Sequence, residues 1–188
     1  VFALDLRNHG GSPHTETMDY PSMAGDVLAF LDQQGLSEVV LVGHSMGGKV
    51  AMRVACDHPE RVLGLGVVDI ANRQYPPRWE KEFAAMRALP VERMQTRREA
   101  ETGLAETVSD WAFRKFLCTN LESNDSGEGF RWIVNLDVLQ ANLPHLFIRM
   151  PEAGEQYYGP TVFIRGEKSR FVQDEDIPAM KAHFPEAE

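Results

Sequence analysis

The chain has 188 residues, of which 43% are hydrophobic and 25% charged, a globular balance that leaves no room for wholesale disorder. Nineteen Lys and Arg against 28 Asp and Glu give a net charge of −9 with no basic cluster, which argues against nucleic acid or an anionic membrane as the main partner. Two cysteines, Cys56 and Cys118, are too few for a disulfide framework, and no apolar run reaches the roughly 18 residues of a membrane span.

Residues 1–4 form an apolar, strand-like run at the very start, and the chain stops at Glu188 just after a predicted helix. Domains seldom begin inside a core strand, so the sequence reads as an internal piece of a longer protein, short at both ends. Residues 6–13 are turn-rich. Residues 22–34 carry Met23, Val27, Phe30 and Leu31 on one helical face, and Gly35 marks the stop. Residues 39–42 are a continuous apolar run, as expected of a strand buried on both faces. A helix is predicted over 46–56, buried strands over 62–68 and 160–164, and a closing helix over 176–184.

Strand–helix–strand alternation with buried strands predicts an α/β fold with a mostly parallel sheet flanked by helices. Residues 75–158 break that rhythm. They carry helix patterns without a convincing buried strand: Trp79, Phe83, Met86 and Leu89 share one face, as do Trp132, Leu136, Leu139 and Leu143. The predicted division is therefore a core over 1–74, a helical cap over 75–158, and a return to the core over 159–188.

The sharpest chemical signal is Gly43-His44-Ser45-Met46-Gly47-Gly48. It contains G-x-S-x-G, after a predicted strand and before a predicted helix, the setting of a nucleophile elbow. Such a turn is tight, so small residues are expected at Gly43 and Gly47. The turn lifts the Ser45 hydroxyl above the strand ends. The backbone N–H of Met46, at the start of the helix, is the predicted oxyanion-hole donor.

An activated serine needs a base, and the base an orienting acid, in the chain order Ser, acid, His. The usual acid position is the loop after a late strand. Here that loop offers Ser169 where Asp would stand, with Glu167 and Asp174 displaced from it. The alternative is Asp69, which closes the strand after the nucleophile helix and ends on the same face as Ser45. Among the histidines, His145 falls in the insertion and His183 near the end of the closing helix, one helix too early for a base that should follow a further strand. His44 adjoins the serine and is expected to pack behind the turn. His9 and His14 precede it. The base is therefore expected beyond Glu188.

Asp5-Leu6-Arg7-Asn8-His9-Gly10-Gly11-Ser12, Gly43 to Lys49, and Val68-Asp69-Ile70 resemble the α/β-hydrolase superfamily. With Ala84 to Ala88, Val134-Asn135-Leu136, Gly159 to Gly166 and Ser169, they resemble more narrowly a family of small esterases. That family includes bacterial short-chain acyl esterases and an animal mitochondrial member, and the similarity runs through nearly the whole chain. The resemblance implies Ser45 as nucleophile and Asp69 as acid. It implies a histidine after one further strand, a second oxyanion donor from a strand before Val1, and a helical cap. It also implies cleavage of esters or thioesters with short to medium acyl chains, without metal or organic cofactor. Carbon–carbon bond hydrolysis or cofactor-free haloperoxidation by the same serine, and a non-catalytic interaction module, are the rival expectations. Cysteine usage fits a reducing compartment, the cytoplasm or alternatively the mitochondrial matrix.

Overall fold

A computed structural model describes residues 1–125 and 127–188. The elements run α1 (Tyr20–Gln33), β1 (Val39–His44), α2 (Met46–Asp57), β2 (Val62–Val68), α3 (Glu80–Ala88), α4 (Arg97–Gly103), α5 (Trp111–Cys118), β3 (Leu121–Ser123), β4 (Phe130–Trp132), α6 (Leu136–Ala141), α7 (Leu143–Leu146), β5 (Thr161–Ile164) and α8 (Ile177–His183). They fall into two compact units. One comprises residues 18–76 and 144–188 and carries the sheet; the other comprises residues 1–17 and 77–143 and is mainly helical. The insertion boundaries expected at 75 and 158 thus differ from this division, in which residues 144–158 pack with the sheet.

In the sheet unit, β1, β2 and β5 form a parallel sheet in that order, with β2 central. Helix α1 begins where Asp19 accepts a hydrogen bond from the Ser22 N–H at 2.7 Å, satisfying one of the orphan donors of the first turn. Its buried stripe of Met23, Ala24, Val27 and Leu31 faces the core, and the helix packs on α2. Helix α2 lies against β1 and β2 and is buried along its whole middle, from Gly48 to Ala55. Leu65 and Val67 of β2 point to this covered face. Phe163 of β5, in register with Val67, packs on Ala71, Val172 and Met180, so α8 covers the same face.

The other face of the sheet carries apolar side chains that are open among the described residues. Val40, Val42, Val162 and Ile164 are 65, 70, 47 and 54% exposed. Among the described residues, helices cover the face of Leu65, Val67 and Phe163. Residues 1–4, expected as strand-like, lie outside the named strands.

In the helical unit, Asn8 is fully buried and fixes the turn-rich opening. Its Oδ1 accepts from Thr15 N at 2.8 Å and from Asn135 Nδ2 at 3.3 Å, and its carbonyl accepts from Asn135 N at 2.9 Å. Asn135 in turn caps α6 through its contact with Val138 N. Trp79 precedes α3 with φ 81°, and its ring meets Phe113 of α5 at 4.7 Å. Trp132 is not on a helical face as expected. It lies in β4, paired with Leu121 in a short antiparallel hairpin, because Gly127 and Gly129 adopt positive φ and turn the chain.

Candidate active site

Ser45 stands between the last residue of β1 and the first of α2 with φ 52° and ψ −119°. A non-glycine residue held there stores on the order of 1–3 kcal/mol of strain, which persists only if the surroundings over-determine it. They do. Ser45 N–H donates to Val68 O at 2.9 Å, and Ser45 O accepts from Gly48 N at 2.9 Å and Lys49 N at 3.2 Å. The first bond ties the turn to the end of β2; the others start the helix.

The crowding is specific. A Cβ on Gly43 would lie 2.1 Å from Gly47 O and 2.3 Å from Gly47 C, so only glycine fits. A Cβ on Gly48 would lie 2.8 Å from Ile70 Cγ2 and 3.0 Å from Gly43 O. Gly47 was expected to be the second tight position, yet a Cβ there meets nothing within 4 Å among the described residues. The helix enters with its 47–48 peptide against β1 and β2, which crowds Gly48 and turns Gly47 outward. Met46, the first residue of α2, has an N–H with no partner in the helix ladder, at the positive end of the helix dipole.

Asp69 is the next residue beyond β2 and also has positive φ, 55°. Because His44 pairs with Val68 in the parallel register, Ser45 and Asp69 follow adjacent strand ends on one edge of the sheet. Asp69 N–H donates to Ile164 O at 2.7 Å, and Asp69 Oδ1 accepts from Gly166 N at 3.3 Å. The carboxylate is thereby anchored to the loop after β5, the loop in which the usual acid would sit. In that loop Ser169 Oγ accepts from Phe171 N at 3.1 Å, Asp174 pairs with Arg165 at 2.7 Å, and Glu167 is exposed.

The histidines divide clearly. His183 is buried and its Nδ1 lies 2.6 Å from Glu155 O, fastening α8 to the segment before β5. His9 Nδ1 lies 3.0 Å from Arg7 O, and His14 and His145 are exposed. His44 is exposed among the described residues, with its side chain in one row with Val68 and Ile164.

Over its full length, residues 1–188, the sequence matches the profile of the alpha/beta hydrolase fold. The chain belongs to the α/β-hydrolase fold family. It is 40% identical to the sn-1-specific diacylglycerol lipase ABHD11 of Xenopus laevis, over 98% of this chain and 60% of that one. It is 33% identical to Esterase YbfF of Escherichia coli K12, over all of this chain and 71% of that protein. A solved structure titled marine microorganism esterase superposes with a TM-score of 0.90 at 36% identity, covering 98% of this chain and 72% of its own. The chain spans about three fifths of the length of the curated ABHD11 relatives it matches.

Two charged residues of α2 have partners that the sequence does not announce. Lys49 and Arg53 lie one turn apart on α2, and both are buried. Arg53 grips Glu155 with both Nη atoms, at 2.7 and 2.9 Å, and also meets Asp57. A long cation inside an otherwise small and apolar helix was the available signal. Among the described residues no three His, Cys, Asp or Glu side chains are grouped to hold a metal ion, and no helix is long and apolar enough to cross a membrane.

Proposed function

We propose that the full-length protein is a serine hydrolase that cleaves carboxylic esters or thioesters with short to medium acyl chains. Ser45 Oγ attacks the acyl carbonyl. A histidine supplied by a segment beyond Glu188 takes the hydroxyl proton, and Asp69 holds that ring in the productive tautomer. The Met46 N–H receives the developing oxyanion together with a second donor from a segment before Val1. Collapse of the tetrahedral intermediate returns the proton to the leaving alcohol or thiol and leaves Ser45 acylated. Water then releases the acid by the same steps. The helical unit over 77–143 acts as a cap whose half-buried Trp79, Phe83 and Trp132 help select the acyl chain.

The observation that carries this reading is the strained Ser45 tied to Val68 O, at the strand end that Asp69 continues. The names of the similar proteins, a lipase and esterases, support the same chemistry. Hydrolysis of p-nitrophenyl butyrate by the full-length protein tests it. Ser45→Ala should remove essentially all turnover, since loss of the nucleophile leaves only a small residual rate. A variant retaining a tenth or more of the wild-type kcat would refute Ser45 as the nucleophile.

A further inference from the structure

Lys49 follows Ser45 by one helical turn and is only 1% exposed. Lysine is almost never so buried unless its head finds partners. Here the partners are two main-chain carbonyls. Nζ donates to Arg73 O at 3.0 Å and, through a shorter contact, to Ile148 O. Arg73 belongs to the connection that leaves β2 toward residues 77–143, and Ile148 to the connection that returns from them. The two connections also pair directly: Tyr75 N–H donates to Phe147 O at 2.8 Å and Met150 N–H to Asn72 O at 3.1 Å. Two tyrosines enclose the amine, with ring centroids 4.9 Å away for Tyr75 and 5.8 Å for Tyr20. Tyr20 OH donates to Leu146 O at 2.7 Å, and Tyr75 OH to Phe171 O at 2.5 Å. One side chain thus joins the outgoing segment, the returning segment and the helix that begins at the nucleophile.

We propose that Lys49 is a positioning residue that clamps both connections of the 77–143 insertion to helix α2, through the carbonyls of Arg73 and Ile148. What the clamp contributes to substrate capture rests on the esterase reading above. The clamp itself stands on the sheet unit alone.

The clamp responds to pH. Burial, and then the Arg73 guanidinium, bring the Lys49 ammonium down to about 7 from its ordinary 10.5. The groups around it are Tyr20 from α1, Tyr75 and Arg73 from the outgoing connection, and Asp176, which pairs with Arg73 at 3.1 Å. Burial pushes the Tyr20 phenol well above its usual range, so it stays neutral. The Cys56 and Cys118 thiols are pushed up to about 12 and about 11, above the window of interest. A neutral amine retains two N–H donors, enough for both carbonyls. When the connections open, Lys49 regains its ordinary affinity for a proton. The open state therefore binds more protons between pH 7 and 10.5, and the closed state gains on it as pH rises.

The test is amide hydrogen exchange in the full-length protein at Tyr75 and Met150, with Val54 and Val67 as references, between pH 7.5 and 9. In wild type, protection of Tyr75 and Met150 should rise about tenfold per pH unit after correction for intrinsic exchange, with reclosing faster than exchange. The references should not follow. In Lys49→Met the slope should vanish, and both amides should exchange at least about tenfold faster at pH 8.5. A flat wild-type profile would overturn the proposal without any variant. So would a slope that survives in Lys49→Met, or one shared equally by Val67. Labelling of wild-type Ser45 by a fluorophosphonate, run on the same samples, separates the readings: its absence counts against the esterase alone.

Discussion

At the corner that holds Ser45, the geometry is made by main chain. Gly43 has no room for a Cβ against Gly47, Ser45 N–H meets Val68 O, and Asp69 N–H meets Ile164 O. Within residues 77–143, α3, α4, α5 and α6 have nine, seven, eight and six residues and meet through side chains such as Trp79 on Phe113. Helices that short have little stability of their own and depend on packing. The difference teaches where each kind of change should register. Altering the corner should abolish chemistry or folding; altering the helical unit should tune.

The largest effect short of losing Ser45 is expected at the acid. Asp69→Asn removes the carboxylate that would orient the histidine, and kcat should fall by about 10³ to 10⁴ with the fold intact. Glu167→Gln and Asp174→Asn should change kcat less than about threefold, since one is exposed and the other is held by Arg165. Steady-state ester hydrolysis with the three variants checks this. The reverse ranking would move the acid to the loop after β5.

Next comes the backbone itself. Gly43→Ala drives a Cβ to 2.1 Å from Gly47 O and should cost about 3 kcal/mol or more, or prevent folding. Gly47→Ala meets open space and should cost no more than about 1 kcal/mol. Urea denaturation of the two variants measures the contrast. Equal losses would mean that close approach at Gly43 does not define the turn.

How much of this was legible in the sequence follows the same line. The parallel order, and the places of Ser45 and Asp69 at adjacent strand ends, are legible, because a glycine-flanked serine between an apolar run and a helix has few structural solutions. The sequence points to Gly47 as the second tight position and gives Gly48 no role, because the tight position depends on which peptide faces β2, a matter of helix phase. Val40 and Val42 make β1 apolar on both faces, and periodicity does not say what covers each face. Trp132 was assigned to a helix because three-residue strands such as β4 are shorter than any period can reveal. Lys49 and Arg53 passed unnoticed because a buried cation is defined by carbonyls and carboxylates about 100 positions away.

The smallest effects on catalysis belong to the helical unit. Trp79→Leu, Phe83→Leu and Trp132→Leu should each shift the ratio of kcat/KM between butyryl and octanoyl esters by about 1–3 kcal/mol, with kcat on the better substrate nearly unchanged. Met86, 4% exposed, should instead lower stability by about 2–5 kcal/mol when cut to Ala. A chain-length profile unmoved by all three aromatic variants would remove the helical unit from substrate selection.

Whether the strained corner after β1 carries the nucleophile is decided by covalent trapping. The full-length protein is treated with a fluorophosphonate, digested, and the adduct located by mass. A single adduct is expected on Ser45, absent in Ser45→Ala and formed far more slowly in Asp69→Asn. An adduct on another residue, or undiminished labelling of Ser45→Ala, would contradict it.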